Sequence, residues 1–269
     1  MPDRIATVKA SADNIEEAAT YFRLNGCLTL EKSFDPELVQ AMQSDFLTSY
    51  APRDRAEVER TCLKVGVERF MFSVKLRPPY LEPGVYASPE VLPIVKDLLG
   101  DDCIIQSFGV VCAYPGAQLQ HIHRDHPPLF AEAGGLNAFF PPFALHVVIP
   151  LIDLDEATGT TALWEGSHRI KSAREEQQWS KEQLERLEGA VLPMAQVGDC
   201  YLMDYRLRHT GTPNTSNLPR PILYIVYSRR WFLDRRNFEI QSPLDISPAE
   251  FERIPDEHKR LFEIARPAN

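Results

Sequence analysis

Hydrophobic positions along the first hundred residues recur at helical spacing. From Asn14 to Asn25, Ile15, Ala18, Ala19 and Phe22 fall on one face, and Gly26 follows as a stop signal. Pro36 can open a second helix, with Val39, Met42 and Phe46 along one side. Ser88-Pro89 is a cap and first-turn pair for a third, whose stripe of Val91, Val95, Leu98 and Leu99 ends at Gly100. These stretches predict a helical N-terminal part over about residues 1–102.

Beyond Cys103 the period changes. Ile104–Tyr114, Phe143–Asp153, Cys200–His209 and Ile222–Trp231 are rich in β-branched and aromatic residues and are separated by Pro, Gly and Asn clusters, so they predict strands. In Tyr201–His209 the odd positions are Tyr201, Met203, Tyr205, Leu207 and His209, with Asp204, Arg206 and Arg208 between them. That alternation predicts one strand with His209 facing inward and both arginines on the wet face. A helix carrying Trp179, Leu184 and Leu187 interrupts the strands and stops at Gly189. The expected fold class is mainly β with flanking α-helices, in one domain over residues 1–269. Its β-barrel core covers about 103–232 and a helical tail covers 233–269. The segment Pro127–Pro142, dense in proline and glycine and carrying Phe130, Phe139 and Phe140, reads as a long loop and a candidate lid.

Composition narrows the function classes. At 44% hydrophobic and 25% charged the chain can bury a sizeable core. A formal net charge of −9 spread along the chain argues against nucleic acid or an anionic membrane surface as the main partner. No apolar run approaches the length of a membrane span, and the N-terminus has no apolar signal region, so the expected location is cytoplasmic. The five cysteines, Cys27, Cys62, Cys103, Cys112 and Cys200, include no C-x-x-C pair and read as reduced thiols.

The chemistry concentrates in His121-Ile122-His123-Arg124-Asp125-His126. On an extended chain His121, His123 and Asp125 share a face, so His123 and Asp125 can both reach one metal ion. His209 would supply a third ligand from a neighbouring strand. Two imidazoles and one carboxylate on one triangular face leave three adjacent positions open, the arrangement of non-haem Fe(II) oxygenases. Arg220, eleven residues after His209, can hold a carboxylate of a co-substrate through its planar fork. A competing set, His121, His123 and His209, would make a cupin-type metalloprotein acting as an isomerase or lyase. That reading needs a glutamate three or four residues beyond the H-x-H pair, where His126 and Pro127 stand, and it leaves Arg220 without a task. Trp164, Phe139 and Phe140 are candidates for a pocket wall, although aromatic residues beside strands more often belong to the core.

Several of these pieces together resemble the phytanoyl-CoA dioxygenase-like branch of the Fe(II)/2-oxoglutarate oxygenases. They are Gln120-x-x-His123-x-Asp125, Thr160–His168 (TTALWEGSH), Gly198-Asp199 leading to His209, and Arg220, preceded by a helix and NGCLTLEKSFDPELV. The resemblance covers roughly Glu16 to Trp231. It implies a double-stranded β-helix (jelly-roll, cupin-like) barrel, with Fe(II) on His123, Asp125 and His209 and the distal carboxylate of 2-oxoglutarate on Arg220. It also implies that Gln120 lies near metal and co-substrate, and Lys75 loosely matches a family lysine that contacts 2-oxoglutarate. The implied reaction oxidises a small organic molecule, hydroxylation being the default, with O2 consumed and succinate and CO2 released. One departure stands out. The family commonly carries a hydroxyl residue two positions after the distal histidine, and here that place is Gly211, between Thr210 and Thr212. Halogenating relatives replace the ligand aspartate with a small residue, so Asp125 disfavours halogenation.

Overall fold

The computed structural model describes residues 7–9, 14–51, 54–169, 182, 186–237 and 244–265. Ten strands form two sheets. They are β1 (Thr7–Lys9), β2 (Cys27–Glu31), β3 (Leu63–Gly66), β4 (Arg69–Ser73), β5 (Ile104–Ala113), β6 (Ala144–Pro150), β7 (Thr161–Leu163), β8 (Cys200–Asp204), β9 (His209–Gly211) and β10 (Arg220–Ser228). The large sheet runs in the order β1-β2-β8-β6-β10-β5-β4-β3 and is antiparallel except for the β1–β2 pair. The small sheet pairs β7 with β9. This is the jelly-roll architecture of facing antiparallel sheets.

The helices form where the capping chemistry puts them. Helix α1 (Ile15–Asn25) ends on Gly26, whose φ of +78° is the left-handed cap and whose N–H donates to the Phe22 carbonyl. Helix α2 (Pro36–Ser49) starts at Asp35, whose side chain accepts from the Glu37 N–H. After α3 (Arg55–Thr61) and α4 (Pro83–Tyr86), α5 (Leu92–Leu99) follows Ser88, whose hydroxyl accepts from the Glu90 N–H. The tail contributes α6 (Pro248–Glu252) and a 3-10 turn at Lys259–Ala265. The expected helix around Trp179 and Leu184 lies outside the described residues.

One face of the large sheet is covered by these helices. Phe22, Phe46, Leu98 and Phe262 share a core cluster with Leu30, Phe72, Val110, Leu145, Leu202 and Leu223. Each large apolar side chain so buried contributes roughly 1.5–3 kcal/mol. The opposite face turns inward, and the register aligns its residues in rows. Arg69 and Arg220 both pair with Ala113, Met71 and Ile222 with Val111, and Val226 and Met203 with His146.

Two expectations change. The N-terminal part is helical but also contributes β1 to β4. The four residues Cys27–Leu30 are buried on both faces, so β2 carries no alternation to read. Tyr201–His209 is not one strand. Strand β8 stops at Asp204, a turn closed by the Leu207 N–H to the Asp204 carbonyl intervenes, and β9 starts in the other sheet. The turn resets the parity. Arg206 is therefore not on a wet face: it is 5% exposed and forms a two-pronged pair with Asp204 (Nε–Oδ1 2.9 Å, Nη2–Oδ2 2.8 Å). Arg208 is half-buried. Among the described residues, no helix is long and apolar enough to cross a membrane. Four of the five cysteines, Cys27, Cys103, Cys112 and Cys200, are buried.

Candidate active site

The H-x-D segment is extended but belongs to no regular strand. It is stitched to β9 by reciprocal hydrogen bonds between His123 and His209, N to O at 3.0 Å in both directions, and by the Gln120 N–H to the Gly211 carbonyl. That bridge sets the two rings face to tilted face, centroids 4.3 Å apart, with Asp125 beside them. Among the described residues, His123, Asp125 and His209 are the one group able to hold a metal ion, their ligand atoms all within 4.8 Å of one another. His123 Nε2 is 3.9 Å from Asp125 Oδ1, and His209 Nε2 is 3.6 Å from Asp125 Oδ2.

Hydrogen bonding orients both imidazoles for a metal. His123 Nδ1 lies 2.9 Å from the His121 carbonyl, and His209 Nδ1 lies 3.0 Å from the Leu207 carbonyl. A carbonyl only accepts, so Nδ1 carries the proton in each ring and Nε2 presents its lone pair. Burial and the neighbouring His209 push His123 down to about 4, so it is neutral near pH 7. Burial alone would raise the Asp125 carboxyl, but His209 and His146 hold it below the usual carboxylate range.

These groups face a cavity of about 590 Å³ between the inward face of the large sheet and the small sheet. One end is polar: Arg69, Thr161 and Tyr201 line it, with Thr161 Oγ1 and the Tyr201 hydroxyl 2.8 Å apart. Arg220 lies in the same row as Arg69, across the small Ala113, and is fully buried. Among the described residues its Nε, Nη1 and Nη2 have no hydrogen-bond partner, and neither has Arg69 Nε, while Arg69 Nη2 donates to the Thr212 and Gln118 carbonyls. Burial lowers the pKa of both guanidiniums, and the nearby Arg220 helps bring Arg69 to about 9. Two desolvated cations without an acid beside them form a site for an anion. The residues present therefore fit a divalent metal with an anionic chelator next to it. The rest of the lining mixes apolar Leu63, Met71, Ile222 and Val226 with Tyr205, Tyr224, Lys64, Arg124, Arg236 and Asn237.

Arg69 escaped the sequence reading, although a signal existed at Gly211. A Cβ there would lie 2.1 Å from Arg69 Nη1, so the missing side chain makes room for a guanidinium. Thr210 and Thr212 do not replace the absent hydroxyl, because each donates to a main-chain carbonyl, of Gln120 and Thr160 respectively.

Gln120 does line the cavity, where it braces β3 to β9 by donating to the Val65 carbonyl (2.8 Å) and accepting from the Gly211 N–H (3.3 Å). Lys75 does not. It is exposed and absent from the cavity wall, because Val74 and Leu76 on either side of it turn into the core and send it outward. His121 stands exposed at the cavity wall and does not join the metal-binding group, so the set His121, His123, His209 does not come together. His146, unremarkable in the sequence, lies on the wall with Nε2 2.9 Å from Asp125 Oδ2. Trp164 packs in a small core with Ala162 and Ala190, away from the cavity. The loop Pro127–Pro142 contains a 3-10 stretch at Ala131–Phe139; among its described side chains only Pro127 reaches the cavity wall, and Phe139 is 76% exposed.

Comparison with known proteins agrees with this geometry. The chain is 26% identical over 160 residues to the dioxygenase af480 of Aspergillus fumigatus, a match covering 59% of this chain and 48% of that protein. It is 24% identical over 270 residues to the multifunctional dioxygenase prhA of Penicillium brasilianum, covering 94% of this chain and 85% of that one. The chain thus spans about half the length of the first relative and most of the second. Two solved structures share the fold. The non-haem alpha-ketoglutarate-dependent epimerase SnoN from nogalamycin biosynthesis superposes with a TM-score of 0.61 at 16% identity, over 87% of this chain and 91% of its own. HygX from Streptomyces hygroscopicus, solved with nickel and 2-oxoglutarate, also gives 0.61, at 15% identity over 82% and 89%. The family model of phytanoyl-CoA dioxygenase (PhyH) matches residues 22–222, three quarters of the chain, and with it this protein belongs to the phytanoyl-CoA dioxygenase family.

Proposed function

We propose that the chain oxidises a small organic molecule, by hydroxylation in the default case, using iron(II) on His123, Asp125 and His209 and 2-oxoglutarate as co-substrate. The observation that carries this reading is the row Arg69–Ala113–Arg220: Arg69 lines the same cavity as a two-histidine, one-carboxylate cluster, and the fully buried Arg220 stands behind it in the row, off the cavity wall. Held there, iron(II) would activate O2, the oxidant, with 2-oxoglutarate giving up two electrons as it becomes succinate and CO2 and the substrate giving up the other two.

The remaining work belongs to the chain's own side chains. Arg220, with Arg69 beside it, holds the distal carboxylate of 2-oxoglutarate. Thr161 and Tyr201 close the same end with hydroxyl groups, and Gln120 keeps β3 against β9 so that this end stays shut. His123 and His209 are fixed as Nε2 ligands by their carbonyl partners. The apolar side chains of the wall, Leu63, Met71, Ile222 and Val226, receive the substrate and exclude water from the bond to be oxidised. The apolar part of the cavity lining fits a substrate with a largely hydrocarbon skeleton.

Succinate formation from 2-oxoglutarate, measured with iron(II) and O2, tests the reading. Turnover that is lost on Asp125→Ala supports it. Succinate release that persists unchanged in that variant would overturn it.

A further inference from the structure

Asp125 is held from both sides of the jelly roll. Its backbone lies on the segment stitched to β9 in the small sheet. The side chain that meets its carboxylate, His146, stands on β6 in the large sheet, in the row Val226–His146–Met203. His146 Nε2 is 2.9 Å from Asp125 Oδ2. A carboxylate kept ionised only accepts, so Nε2 carries the proton and donates. The ring is 9% exposed and sits between the Tyr205 and Tyr224 rings, with centroids at 5.1 and 6.0 Å. Packing therefore fixes its direction. Its Nδ1 is buried without a partner, so among the described residues the contact with Asp125 is the one hydrogen bond this imidazole makes. A buried ring that leaves one nitrogen unsatisfied is costly to keep for packing alone.

The geometry points to His146 as a positioning residue: it occupies Oδ2 of Asp125 from across the sandwich and so leaves Oδ1 as the single coordinating oxygen. This rests on the metal site proposed above and deepens it. A carboxylate free to rotate can bind through both oxygens and fill a position that a chelating co-substrate needs, whereas one whose second oxygen is hydrogen-bonded is held to one. His146 acts through Asp125 and does not join the ligand set, which contains only His123, Asp125 and His209. Tyr205 and Tyr224, by clamping the ring, set the angle at which the donor arrives. Asn237 completes the hold from the main-chain side, its Nδ2 donating to the Asp125 carbonyl at 3.0 Å.

The test is a titration of metal-free protein with cobalt(II), read by binding affinity and by the cobalt ligand-field spectrum, in wild type, His146→Leu and His146→Gln. The glutamine amide can place an N–H where Nε2 stands; leucine keeps the bulk and removes the donor. The expected result is a loss of affinity of about 10–100-fold and an altered spectrum in His146→Leu, with His146→Gln near wild type in both. Thermal unfolding of the metal-free forms checks that each variant is folded. If His146→Leu does not fold, the comparison of His146→Gln with His146→Met decides in the same way. Wild-type affinity and spectrum in the apolar variants would overturn the inference. So would a glutamine variant as defective as the apolar one, since the requirement would then be for the imidazole itself. A wild-type protein that binds no cobalt would overturn the metal site, and this inference with it; normal wild-type binding with indifferent variants overturns the inference alone.

Discussion

Arg220→Met exchanges the most deeply buried cation of the pocket for an apolar side chain of similar length. In the ligand-free protein Arg220 is 0% exposed, its three side-chain nitrogens have no partner, and its nearest cation is Arg69 in the same row. Burial thus desolvates the charge, and the neighbouring Tyr201 and Cys112 offset only part of that cost. Replacing a buried ion pair by well-packed apolar groups is often neutral or stabilises by about 1–4 kcal/mol, and a buried cation with no salt-bridge partner among the described residues should gain about 3 kcal/mol. For a chain of this size each kcal/mol moves Tm by about 2–4 °C, so the variant should melt roughly 6–12 °C above wild type without ligand. Adding 2-oxoglutarate with a redox-inert divalent metal reverses the order of response. At 100 times its Kd the co-substrate stabilises wild type by about 2.7 kcal/mol, and the variant should gain almost nothing. Calorimetric or dye-based melting with and without 2-oxoglutarate measures both halves. A ligand-free Arg220→Met protein that melts below wild type, or one that 2-oxoglutarate still stabilises, refutes the reasoning.

Alanine at His123, Asp125 or His209 should each abolish 1:1 binding of iron(II) under anaerobic titration, while His121→Ala keeps it; a reversed pattern restores the three-histidine alternative. Gly211→Ala drives a methyl group into the Arg69 guanidinium, 2.1 Å away, so KM for 2-oxoglutarate should rise by about tenfold, the equivalent of about 1.4 kcal/mol, with metal affinity unchanged. Unaltered co-substrate dependence would remove Arg69 from the anion site. Burial holds the His168 pKa below its ordinary 6.5, so the folded state takes up its proton later than the unfolded chain does, and stability should fall as pH drops through 6.5. His168→Gln should flatten that part of the pH–stability curve of ligand-free protein, and an equally steep curve would show that another group governs it.

Much of the site was legible because its signals are local. The i, i+2 spacing of His123 and Asp125 puts both on one face of any extended chain, and it does so here although the segment forms only a single bridge with β9. Helices α1, α2 and α5 were readable for the same reason, since a cap or a stop is decided by residues within one turn of it. Arg206 shows how local reading fails. Its alternation with Tyr205 and Leu207 was real, but the turn closed between Leu207 and Asp204 broke the strand on which parity depends, and the arginine went inward to Asp204. Lys75 failed through the opposite error, a loose motif match carried over without regard to the buried Val74 and Leu76 beside it.

The amino-acid order by itself determined the shared face of His123 and Asp125, the β-rich core and the principal helices, because each depends on spacings of a few residues that backbone geometry converts directly into a shared face or a capped end. Tertiary structure alone decided the rest of the active site. Arg69 meets Arg220 because β4 and β10 flank β5 with both arginines in register with Ala113, and His146 meets Asp125 because β6 faces the β9 side of the jelly roll. Those partners are separated by 151 and 21 residues. Pairing register and the facing of two sheets are properties of the folded whole, and no pattern confined to one segment can carry them.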